Sequence, residues 1–144
     1  LSEPFMRQVS KKDRYYLQLA LVRLDHPESV EKFMSDLHAK PIDNELIISS
    51  LEDLAYTNHH EVYDYLLYEL EKDGHNCLSA NNDSRESIHC GYRIMEVLCH
   101  RIIDFPVQTD RSGELVGDYE QALQKARSWW SVSSKIYVIN SLIY

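Results

Sequence analysis

The side chains best placed for chemistry lie within residues 43–70, where Glu61, Asp64, Tyr65 and Tyr68 fall at i, i+3, i+4 and i+7, with Glu69 beside them. On a helix that spacing puts carboxylates and phenols on one face, opposite an apolar stripe of Val62, Leu66 and Leu70. Carboxylates attract and pair with Lys or Arg, and tyrosine supplies a large, rigid contact area with a polar tip. This is the chemistry of a surface that holds a basic partner. Glu28, Glu31 and Asp36 extend the acidic character upstream.

Other reactive residue types are present without the company that chemistry needs. His60 and Asp64 are one helical turn apart and can supply two ligands, but a zinc site needs three or four, and no His-Glu-x-x-His pattern occurs, since Asp64 stands where its second histidine would. Cys99 and His100 are adjacent on a predicted helix and point about 100° apart, so they form no thiolate–imidazolium couple. Cys77, in a polar loop beside His75, is expected to be the more exposed thiol. The stretch Ser112–Gly117 has no lysine and no glycine-rich run, so it is no phosphate loop, and no Gly-x-Ser-x-Gly occurs. No catalytic residue, metal ligand set or cofactor is assigned.

The elements that must position the acidic face are read from apolar spacing and caps. Tyr16, Leu17, Ala20, Leu21 and Leu24 mark a first helix, ended at Asp25-His26-Pro27; Val30, Phe33, Met34 and Leu37 mark a second, with Pro27 at its start and Glu28 in its first turn. After Pro41, Asp43 or Asn44 caps a third helix that buries Ile47, Ile48, Leu51, Leu54 and Ala55. A fourth runs from about His59 to Lys72. Sliding the first hairpin forward by 33 residues lays Leu21 on Leu54, Glu28 on Glu61, Phe33 on Leu66, Met34 on Leu67 and Leu37 on Leu70. A polar loop over 73–84 follows, with Gly74 as a C-cap and Ser84 as an N-cap. Then come a fifth helix over about 85–103, a loop to Gly117, and a sixth helix carrying Trp129 and Trp130. Residues 135–144 have a strand-like composition at Ile136, Val138 and Ile139, but a last capping helix is expected among so many helices.

Composition sets the outer limits. The formal charge is −8 over 144 residues, from 15 basic and 23 acidic side chains, which disfavours nucleic acid and anionic membrane surfaces as partners and favours a basic protein. No apolar run approaches the roughly 20 residues that span a bilayer. The chain starts at Leu1 without methionine and reads as a processed or trimmed product. Cysteines 77, 90 and 99 are odd in number, and on one helix Cys90 and Cys99 would stand roughly 13 Å apart. A disulfide framework is therefore not expected, and a reducing, cytoplasmic location is favoured, with a periplasmic or secreted one as the alternative if the N-terminus is processed.

Paired short helices with Leu and Ala at matched positions resemble HEAT-type repeats of bacterial proteins. The likeness extends to Ile102-Ile103-Asp104-Phe105-Pro106 followed by a helix closing on Trp129-Trp130, and it covers roughly residues 13–131. The resemblance implies an all-α fold, a right-handed α-α superhelix of about three hairpins (13–38, 43–72 and 85–131) with a C-terminal cap over 132–144, in one domain over 1–144. It places the second helix of each pair on the concave surface, and the long loop at 73–84 departs from regular stacking. By itself it implies no activity. The expected function is non-enzymatic protein binding through Glu28, Glu31, Glu61, Asp64, Tyr65, Tyr68 and Glu69, in the manner of an immunity or inhibitor protein that neutralises a basic toxin or enzyme. Alternatives are a HEAT-like scaffold or adaptor fragment, or an enzyme such as a DNA-glycosylase-like HEAT protein, which would need a basic concave face.

Overall fold

The computed structural model describes residues 10–72, 74–79, 86–132 and 136–141. The protein is mostly helical, with six α-helices and one two-stranded sheet among the described residues. The expected cap at Ser84 and the end of the C-terminal segment lie outside them. The chain divides into two compact units, one up to Lys40 and one from Pro41 onward.

The first unit is a helical hairpin of α1 (Lys11–Arg23) and α2 (Pro27–His38), which pack on each other. Ser10 caps α1 by accepting from the Asp13 amide at 3.1 Å. The turn between the helices is a Schellman closure: the amides of Asp25 and His26 donate back to the carbonyls of Val22 and Leu21, both at 2.9 Å, with Asp25 in the left-handed region (φ 58°). His26 then caps α2 and Pro27 opens it. The buried stripe of α2 is the expected one, Val30, Phe33, Met34 and Leu37. That of α1 is rotated: Leu19 and Val22 are buried, whereas Tyr16 and Leu24 are exposed. Apolar residues at 15–17 and 19–22 fit either phase, so spacing alone picks the wrong one.

The second unit starts with α3 (Asn44–Tyr56), capped by Asp43, whose Oδ1 accepts from the Leu46 amide at 3.0 Å. Leu46, Ile47, Leu51, Leu54 and Ala55 are buried, while Ile48 is exposed against expectation. The turn into α4 (His60–Tyr68) is fixed from within, because the buried Thr57 hydroxyl and the Tyr63 hydroxyl donate to the carbonyls of Leu54 and Ala55, each at 2.7 Å. The α-helix does not reach Lys72. It tightens at Tyr68 into a 3-10 turn, Glu69–Glu71, whose end is held by the Arg127 guanidinium donating to the carbonyls of Leu70 and Lys72.

A short antiparallel pair follows, β1 (Cys77–Leu78) and β2 (Ser87–Ile88), with Cys77 opposite Ile88 and Leu78 opposite Ser87. Strand pairing takes up residues expected to be helical, so α5 is only Cys90–Leu98 and not 85–103. Cys77 and Cys90 are joined in a disulfide, and both are buried. This overturns two expectations, that no disulfide forms and that Cys77 is exposed; Cys99 is the free thiol. Residues 77 and 90 meet because the hairpin returns the chain to the start of α5.

Beyond Leu98 the chain turns through Asp104 (φ 61°) and Gly113 (φ 88°), bringing Thr109 opposite Leu115, before α6 (Tyr119–Val132). The final described segment is extended, not a capping helix. The Ile103 amide donates to the Val138 carbonyl at 2.9 Å and the Asn140 amide to the Arg101 carbonyl at 2.7 Å. Burial there alternates, with Tyr137 inward and Ile136 and Val138 outward, as β-branched residues on a strand arrange themselves. In the second unit α3 packs on α4 and α5, and α5 on α6.

Candidate functional site

The acidic, tyrosine-bearing face of α4 is backed by an aromatic cluster. Trp130 of α6 is fully buried and meets the Tyr68 ring edge-on, centroids 5.6 Å apart; Tyr137 packs on Trp130 at 5.9 Å and on the His60 ring at 4.8 Å. These contacts leave Tyr68 at 44% exposure, a phenol whose inner edge is fixed and whose outer surface faces water. Such pre-positioned aromatics give contact area at little cost in side-chain entropy.

The other members of the predicted face separate by environment. Glu61 is exposed, and its amide donates to the capping Nδ1 of His59 at 3.2 Å. Asp64 is half-buried, and its Oδ1 accepts from the Tyr137 hydroxyl at 2.7 Å. Burial, and then that bond, push the Tyr137 phenol far up, so it stays a donor at any ordinary pH. Tyr65 is half-buried, with its phenol raised to about 12 by burial first, then by the carboxylates of Glu69 and Asp43. Glu69 lies at the edge of the face, as expected, but is not exposed there. It is 6% exposed: it follows the buried Leu66 by three residues, at the inner edge of the face, and residue 74 passes beside its carboxylate. Burial raises its carboxyl above the ordinary glutamate range, and Lys72, 3.4 Å away, offsets part of that shift.

The surface that α4 offers is thus Glu61, Tyr65 and Tyr68, with Asp64 bound from behind and Glu69 beneath. Asp43 belongs to the same electrostatic group, although the sequence identifies it only as a helix cap. Tyr137 was hidden by the ambiguity of its segment. Glu28, Glu31 and Asp36 are exposed on α2 in the first unit.

The remaining reactive residues are engaged in structure. Among the described residues no group of three or more His, Cys, Asp or Glu side chains is placed to hold a metal ion. The His100 Nε2 pairs with the Thr109 hydroxyl at 2.8 Å, and the Cys99 thiol donates to the Glu96 carbonyl at 3.4 Å. Burial pushes the Cys99 thiol up, away from thiolate chemistry. An open depression of about 320 Å³ lies between residues 106–108 and the first turns of α6, where Gln108, Asp118, Gln121 and Lys125 contribute its polar groups. Among the described residues that line it there is no serine, cysteine or histidine. No helix among the described residues is long and apolar enough to cross a membrane.

No family model, curated protein or solved structure matches this chain.

Proposed function

We propose that this chain is a non-enzymatic protein-binding module that holds a basic protein against the outer face of α4, with Glu61, Tyr65 and Tyr68 as the contact residues. The observation that carries the reading is Tyr68, anchored edge-on by the buried Trp130 yet 44% exposed, on a helix face that also carries the exposed Glu61. An aromatic side chain fixed at its base and beside a carboxylate suits an Arg- or Lys-bearing partner, since the carboxylate steers and pairs while the ring supplies apolar contact. The net charge of −8 favours the same partner through long-range attraction.

In this reading the helical hairpins are HEAT-like units, and the sharper form of the proposal is an inhibitor of the immunity kind that occludes a basic toxin or enzyme. The test is capture from the native cell's lysate on immobilised protein at low and at high salt. The expected result is a basic protein retained at low salt and released at high salt, because charge steering is screened beyond roughly 10 Å at 0.1 M ionic strength. Retention that ignores salt, or retention of acidic proteins only, would contradict it.

A further inference from the structure

We propose that the Cys77–Cys90 disulfide is a redox-sensitive staple that holds residues 74–78 against the start of α3 and so keeps Glu69, in the 3-10 turn that ends α4, covered beneath the binding face. The second half of this statement rests on the function proposed above; the first half stands without it.

The strand pair that carries Cys77 has two residue pairs and cannot hold itself together. It is fastened at three points to the start of α3. The Asn44 amide donates to the Asn76 carbonyl at 3.1 Å, the Asn76 side-chain amide to the Ile42 carbonyl at 2.7 Å, and the Leu78 amide to Asn44 Oδ1 at 3.0 Å. The same segment covers Glu69: a Cβ added at Gly74 would lie 3.5 Å from Glu69 Oε1 and equally close to Asn76 Oδ1. That is ordinary contact distance, so residue 74 packs beside the carboxylate, and this cover accounts for the burial of a glutamate that also pairs with Lys72.

What closes this excursion is covalent. Cys77 is bonded to Cys90, the first residue of α5, and the rings of His75 and His89 meet edge-on at 3.9 Å across the same closure. The two half-cystines are 1% and 0% exposed, so a reductant reaches them only after local opening. A bond so placed forms as the chain folds, in a compartment that oxidises thiols. Reduction by a dithiol breaks the Sγ–Sγ bond. The two electrons and two protons come from the dithiol, which closes to its own disulfide, and Cys77 and Cys90 are left as thiols.

The experiment is residue-resolved amide exchange on the intact chain with and without dithiothreitol, with reduction verified by mass. On reduction the amides of Asn44 and Leu78 should exchange about a hundredfold faster, the effect of losing a loop closure of this length. Those of Leu54 and Ala55 inside α3 should keep their protection, and the Glu69 carboxyl, raised by burial, should move back toward the ordinary glutamate range as its cover lifts. A Cys77→Ala/Cys90→Ala chain should behave like the reduced protein. Verified reduction that leaves Asn44 and Leu78 as protected as before would overturn the proposal, as would a uniform loss of protection, which would make the bond a general stabiliser. Because no partner is present, this result is independent of the binding reading. Alkylation of native cells during denaturing lysis adds a second arm: Cys99 is labelled, and Cys77 and Cys90 only after reduction. Labelling of all three at once would overturn the assignment to an oxidising compartment.

Discussion

Helices α2 and α4 carry similar outward residues, yet the structure treats them differently. On α2 the carboxylates of Glu28, Glu31 and Asp36 point into water from a helix whose inner stripe is Val30, Phe33, Met34 and Leu37. Glu28 has a local role in the first turn, where the helix dipole favours negative charge. On α4 the polar residues are tied to what lies beneath: Tyr68 to Trp130, Asp64 to Tyr137, and Tyr65 to an environment shared with Glu69 and Asp43. One face is solvated, and the other is built. An i, i+3, i+4, i+7 pattern of acids and tyrosines therefore identifies an exposed face, and the packing behind it identifies a surface that can present rigid contacts to a partner.

Removing the backing should break this difference most severely. Trp130→Ala empties a fully buried site and should cost about 3–5 kcal/mol in chemical denaturation, with loss of the near-ultraviolet dichroism of the aromatic cluster. Tyr137→Phe leaves the half-buried Asp64 without its hydroxyl donor and should cost about 1–2 kcal/mol, read by the same denaturation curve.

Glu69 gives a smaller effect with a definite sign. Its pKa is raised in the folded chain, so the folded state holds the proton more tightly than the unfolded one. Its contribution to stability is full below the ordinary glutamate pKa and is lost as pH climbs through the folded value. Glu69→Gln should therefore raise stability at neutral pH by less than about 1 kcal/mol, the exposed end of its pair with Lys72 being worth little, and should flatten the stability profile just above pH 4.5. The smallest effect belongs to α2: Glu28→Gln and Glu31→Gln should each change stability by no more than about 0.5 kcal/mol.

Much of the helical order was legible because caps and breakers stand where they act. Pro27, Asp43 and His59 mark three helix starts, and the inner stripes of α2, α3 and α4 follow their spacing with Ile48 as the exception. Three features were not legible for separate physical reasons. The phase of α1 depends on which of two apolar sets meets α2, and both sets have helical spacing. Glu69 stands at the edge of the face by its spacing from Val62 and Leu66, and what buries it is the segment that passes beside it at Gly74, which a helical period does not predict. The disulfide joins residues 13 apart through a hairpin, and nothing in an odd count of cysteines predicts that return. For the candidate site, the outward residues were readable from spacing, but the tertiary partners that fix them, Trp130 and Tyr137, come from distant segments.

The most direct test of the central claim compares the two faces by charge reversal. Glu61→Lys with Tyr68→Ala on α4 should abolish retention of the proposed basic partner while leaving the helical dichroism intact and unfolding cooperative, with only the small loss of stability expected from the Tyr68–Trp130 contact. Glu28→Lys with Glu31→Lys on α2, which changes net charge by more, should leave retention largely in place. Equal loss from both pairs would mean that overall charge and not the built face of α4 does the binding, and undiminished retention by the α4 pair would contradict the account outright.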